Sequence, residues 1–156
     1  MEAALRSAYY LATGSNPDPD AFRAVRGMEG WRESEFMLGD TKLKIAVAHG
    51  LGNARKLIEA LRKGEVSYDF VEVMACPGGC AGGGGQPIHD GEELGEVRGS
   101  RLYTLDKGSA LRFSHENPSV LKCYEDYLGS PLSHRAHELL HTDHSAWKMP
   151  AELKAE

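Results

Sequence analysis

The chain has 156 residues, with 18 Lys and Arg against 23 Asp and Glu, for a net charge of −5. That length fits one domain or one piece of a larger one, and the acidic balance excludes a general nucleic-acid binder, which carries a basic footprint. Three cysteines are too few, and odd in number, for a disulfide scaffold, and no apolar run reaches the roughly 18 residues of a membrane span. The start, Met1-Glu2-Ala3-Ala4-Leu5-Arg6, has no basic region followed by an apolar one, so no secretory signal is visible and a cytoplasmic location is expected.

Met1 to Leu11 is rich in Ala and Leu and predicts a helix with no N-cap residue ahead of it, as in a chain cut inside a helix. Thr13 to Asp20 is a loop by composition, and Asp18 and Asp20 read as surface turn residues. Ala21 to Val25 fits one helical turn. Trp31 to Leu38 and Thr41 to Ala48 predict two strands of a hairpin around Gly39-Asp40. In the second, Leu43, Ile45 and Val47 alternate with Lys42, Lys44 and Ala46.

Leu51, Ala54, Leu57, Ile58 and Leu61 then recur at helical spacing, and Gly64 ends that helix. His49-Gly50-Leu51-Gly52-Asn53-Ala54-Arg55, which joins the strand to this helix, lacks the G-x-G-x-x-G spacing and reads as a tight turn. Tyr68 to Met74 is the next strand. Residues 41–74 therefore read strand–helix–strand, a right-handed parallel crossover of an α/β fold. Such folds place their chemistry at the C-terminal end of the strands.

The segment after this strand, residues 76–85, holds six glycines and both Cys76 and Cys80. A charged helical stretch from His89 to Leu105 follows, then a loop through Gly108. Two helices close the chain, Pro118 to Leu128 and Pro131 to His141, the latter capped by Ser130. The strand–helix–strand part is thus followed by a mainly helical C-terminal segment.

Cys76 and Cys80 lie four apart. A thioredoxin-type pair has two residues between its cysteines, and a zinc site needs two further ligands at readable spacing. Two thiolates on one glycine-rich loop suit an iron–sulfur cluster better, because glycine lets backbone N–H groups approach sulfur. A cluster takes four thiolates, and Cys123 is far away in sequence. A flexible glycine loop with two incidental cysteines is the plainer alternative.

The run Glu72-Val73-Met74-Ala75-Cys76-Pro77-Gly78-Gly79-Cys80-Ala81-Gly82-Gly83-Gly84-Gly85-Gln86-Pro87 resembles the third active-site signature of the [FeFe]-hydrogenases, E-x-M-A-C-x-x-G-C-x-x-G-G-G-Q-P, at every fixed position. Met1 to Arg6 resembles the family's helix after its second signature. Ser114-His115-Glu116-Asn117-Pro118 and Ser133-His134 through Leu139-Leu140-His141-Thr142 resemble its small-subunit segment, which is often fused to the C-terminus and is typical of the cytoplasmic forms.

The resemblance implies the C-terminal part of a hydrogenase catalytic subunit, with 1–108 from the large subunit and 109–156 small-subunit-like. Its cofactor would be the H-cluster, a [4Fe-4S] cluster joined to a di-iron unit. By the family's pattern Cys76 would ligate the [4Fe-4S] cluster, Cys80 would ligate it and bridge to the di-iron unit, and Met74 would pack beside the di-iron unit. The signatures T-S-C-C-P and M-P-C-x-x-K, which carry the other two cysteines, the proton-donating cysteine and a lysine that contacts cyanide, do not occur here. Implied partners are that upstream part, on the same or a separate chain, and a ferredoxin or electron-transfer subunit. Neither nucleic acid nor membrane is implied. Alone, such a piece would be inactive.

Two other readings fit the same residues. The chain is a non-catalytic docking module, or His137-Glu138-Leu139-Leu140-His141 is the H-E-x-x-H motif of a zinc hydrolase, with His134 and His144 extending the same face. The plainer reading of those histidines is a packing face. Cys123, with Val120, Tyr124 and Tyr127, reads as a packing cysteine, and Trp147 with the tail 148–156 as loosely docked.

Overall fold

A computed structural model describes residues 1–141, so His144, Trp147 and the tail lie outside the described residues. It divides into two units, Met1–Ser114 and one that begins at His115.

The first unit is built around one strand. β2 (Thr41–His49) pairs antiparallel with β1 (Trp31–Leu38) and parallel with β3 (Phe70–Met74), giving the sheet order β1-β2-β3. Because β2 is central, Ile45 to His49 are buried without a break, and the alternation visible in its first half ends there. Ile45 and Val47 face Leu5 of α1 (Glu2–Thr13) together with Phe22 and Val25. Ala46 and Ala48 face Ala54 and Leu57 of α2 (Leu51–Lys63), and their small side chains let the helix approach the sheet. Gly64, in the left-handed region (φ 72°), ends α2 as the sequence predicts.

Only part of α2's apolar stripe is covered. Ala54, Leu57 and Ala60 are buried, while Leu51, Ile58 and Leu61 are exposed. β3 is an edge strand, and it exposes the apolar side chains of Phe70 and Val73.

Arg6 is the unit's buried cation. Its Nε donates to the Pro19 carbonyl (2.8 Å), Nη1 to Asp106 and the Arg112 carbonyl (2.9 Å each), and Nη2 to Glu2 and Asp106 (2.9 Å each). All five guanidinium N–H groups are thereby satisfied. Arg26 pairs with Glu2 (2.6 Å), and Arg112 bridges Asp20 (2.8 Å) and Asp106 (2.7 Å). Asp20 is therefore a member of an ion-pair network that ties α1 to α3 (Gly95–Gly108), not a free surface turn residue. Glu2, Asp20 and Asp106 lie close enough for a metal, but three guanidiniums already neutralise them.

Two helix starts differ from expectation. α3 begins at Gly95 and not near His89, because Asp90 (φ 37°) and Gly91 (φ 83°) are left-handed and cannot continue a helix. It then runs on to Gly108, where a loop was expected. In the second unit, α5 (His134–Leu140) is capped by Ser133, whose hydroxyl accepts the Ala136 N–H (3.1 Å). Leu132 at φ 64° prevents an earlier start from Ser130. α4 (Pro118–Cys123), capped by Asn117 with Pro118 at its first turn, continues as a π-turn over Tyr124–Leu128. Among the described residues no helix is long and apolar enough to cross a membrane.

Candidate functional site

β2 and β3 end side by side. His49 stands opposite Met74 in the parallel register, and the Gly50 N–H donates to the Met74 carbonyl (2.7 Å). The cysteine segment leaves directly from β3, so it sits at the C-terminal ends of two parallel strands.

Its first half is a tight turn. The Gly79 N–H donates to the Cys76 carbonyl (2.9 Å), and Gly78 has φ 79° and ψ 6°. With Pro77 ahead of it, this is a type II turn, whose third residue needs a positive φ. Gly79–Gly82 then makes a 3-10 turn that carries Cys80. A Cβ on Gly82 would overlap the Pro77 carbonyl oxygen, so only glycine lets the two halves of the loop close. Gln86 fastens the far end, its side-chain amide donating to the Cys80 carbonyl (2.9 Å). Arg98 of α3 donates to the Pro87 carbonyl (2.7 Å).

The signature places three sulfurs, those of Met74, Cys76 and Cys80, on or next to this turn. Cys76 and Cys80 are free and exposed. The Cys76 Sγ would stand 3.7 Å from a Cβ on Gly83, and the Met74 thioether 2.7 Å from one on Gly79, so both sulfurs rest against glycine backbone. Met74 and Gly78 also line a cleft of about 940 Å³ with His49, Glu72, Arg26 and Arg32. Burial pushes the His49 imidazole below its ordinary value, helped by Arg32 and opposed by Glu72. One carboxylate oxygen of Glu72 is buried without a hydrogen-bond partner among the described residues.

The donor set fits half of an iron–sulfur site. It offers two soft, accessible thiols on a loop built largely of glycine, a residue that lets backbone approach sulfur. Among the described residues no third His, Cys or acidic donor joins them. The one group of three such donors is the arginine-filled carboxylate cluster. Cys123 is exposed, not packed. His134, His137 and Glu138 are exposed on α5, and His141 follows it; the rings of His137 and His141 stack at 4.6 Å and cover no core. Among the described residues no third ligand joins the histidines of the H-E-x-x-H motif, and His144 lies outside the described residues.

His49, Gln86 and Arg98 emerge from the structure as loop-holding residues. Gln86 is a fixed position of the signature, and its hold on the Cys80 carbonyl is seen only once the loop is folded. His49 was read as part of a turn, and only the β2–β3 register, invisible in a single sequence, puts it beside Met74.

Comparison with known proteins adds the family. Residues 1–84 match the model described as iron only hydrogenase large subunit, C-terminal domain, and residues 92–147 match iron hydrogenase small subunit. The chain is 54% identical to the NADP-reducing hydrogenase subunit HndD of Solidesulfovibrio fructosivorans, over 91% of this chain and 24% of that protein. It is 41% identical to iron hydrogenase 1 of Clostridium pasteurianum, over 90% of this chain and 25% of that one. Among solved structures, an apo [FeFe]-hydrogenase variant from Chlamydomonas reinhardtii superposes with a TM-score of 0.68 at 45% identity, covering 91% of this chain and 42% of that one. The chain thus spans about a quarter of the length of these curated relatives.

Proposed function

The chain belongs to the iron-only hydrogenase family, and from that premise we propose that it supplies two of the four protein thiolates of an H-cluster. Cys76 and Cys80 would hold the [4Fe-4S] part, Cys80 would also hold the di-iron unit, and Met74 would pack its thioether against the site. When bound, the group supplies the centre at which H₂ interconverts with two protons and two electrons.

The chain's own contribution is to present and orient. The type II turn and the 3-10 turn carry the two cysteines on the loop that leaves β3, and Gln86 and Arg98 hold the far side of that loop. The observation that carries the reading is this pair of free, exposed thiols on one glycine-built turn, with no third donor beside them among the described residues. A cluster that takes four thiolates then draws the other two from the region that precedes this one in the longer members of the family. That region, on the same or another chain, is the first partner, and without it no H₂ chemistry takes place. A ferredoxin or electron-transfer subunit is the second. The reading divides the chain into a large-subunit part, 1–108, and a small-subunit-like part, 109–156, in a cytoplasmic enzyme.

The test is anaerobic loading with iron and sulfide in the presence of the family's upstream region. Bound iron and the charge-transfer absorbance of a cluster are expected, and Cys76→Ser or Cys80→Ser should each remove most of both. Iron content that is the same in the double variant would overturn the reading.

A further inference from the structure

The type II turn leaves one backbone donor over. Its own hydrogen bond uses the Gly79 N–H and the Cys76 carbonyl, so the Gly78 N–H points out of the turn. It donates instead to Nδ1 of His49, at 3.1 Å in a part-buried setting. His49 is 4% exposed, and its backbone is fixed on both sides: its N–H donates to the Gly30 carbonyl (2.7 Å) and its carbonyl accepts from the Asn53 side chain (2.8 Å). The ring therefore stands on a rigid strand end, and an accepting Nδ1 puts the ring proton on Nε2.

We infer that His49 is a positioning residue for the cysteine loop: its neutral Nε2–H imidazole clamps the Gly78 N–H and so fixes the turn between Cys76 and Cys80 over the ends of β2 and β3. That those cysteines are cluster ligands rests on the proposed function; the clamp itself does not. A protonated ring would present N–H to N–H and lose the bond. Of the charged groups that act on the ring, Glu72 on β3 favours that form, Arg32 on β1 opposes it, and burial opposes it most.

Nuclear magnetic resonance on the ¹⁵N-labelled full chain reads the clamp directly. A scalar coupling across the hydrogen bond, between the Gly78 amide nitrogen and His49 Nδ1, is expected well above the ring's ordinary pKa of 6.5, with imidazole shifts of the Nε2–H tautomer. Acidification should remove the coupling. His49→Leu should lower Gly78 amide protection by about tenfold or more, the scale of one lost hydrogen bond to a buried donor, and should speed alkylation of Cys76 and Cys80. His49→Asn, which keeps a short-reach acceptor, should restore most of both.

Absence of the coupling in the unmodified chain overturns the inference and requires no variant to fold. So does an Asn variant as unprotected at Gly78 as the Leu variant while the β2 and β3 amides stay protected. Iron loading of the unmodified chain with the upstream region separates the two readings. A coupling without iron binding leaves the clamp standing and removes the proposed function; iron binding without the coupling does the reverse.

Discussion

Gly82 and Gly84 lie two residues apart in one glycine run, yet a side chain would meet the Pro77 carbonyl at the first and open space at the second. Gly82→Ala should therefore destabilise the first unit by about 1–3 kcal/mol in urea unfolding, whereas Gly84→Ala should change little. The run was readable in the sequence as a signature, but which glycine is sterically required depends on how the loop closes on itself. His49 carries a second prediction at this scale. Burial lowers its pKa from 6.5, so the folded state prefers the neutral ring. The stability this contributes is present above the unfolded-state pKa and is lost as pH falls through the lower folded value. Unfolding curves taken below about pH 6.5 should show this loss, and His49→Asn should flatten that part of the profile. A slope identical in the two proteins would contradict the assignment.

At the scale of elements, helical periodicity marked the whole apolar stripe of α2 but not which part of it is covered. Leu57 is fully buried against Ala46 and Ala48, whereas Leu51 is two-thirds exposed. Leu57→Ala should cost about 2–5 kcal/mol and Leu51→Ala less than about 0.5, both read from denaturant midpoints. The helix starts at Gly95 and His134 were misread from sequence because left-handed residues, Asp90 with Gly91 and then Leu132, override local propensity; the Asp90-Gly91 pair is a turn signal, whereas Leu132 gives none. The Arg6–Asp106 contact, a hundred residues apart in the chain, left no trace in the sequence. Hydrogen bonding to Arg6 and Arg112 holds the Asp106 carboxyl well below the usual carboxylate range. Its contribution is thus complete at neutral pH and is lost only as the solution becomes more acidic than an ordinary carboxylate's pKa of 3.8. Asp106→Asn leaves the buried Arg6 without its bidentate partner and should cost about 3 kcal/mol in the same assay.

For the whole molecule, the strand–helix–strand unit, its parallel pairing and the position of the cysteine loop were legible from periodicity and a specific signature. The edge position of β3 was not, because a run such as Phe70-Val71-Glu72-Val73-Met74 reads the same in the middle of a sheet as at its rim. An unpaired parallel edge that exposes Phe70 and Val73 is prone to pair with other chains. Sedimentation should show self-association of the chain alone, reduced by Phe70→Lys and by addition of the family's upstream region. A monodisperse monomer at every concentration would contradict this. The central claim is that Cys76 and Cys80 are cluster ligands, and the most direct measurement is anomalous diffraction at the iron edge from crystals of the chain loaded together with that upstream region. Iron within bonding distance of both sulfurs is expected. Iron bound elsewhere, with both thiols free, would contradict it.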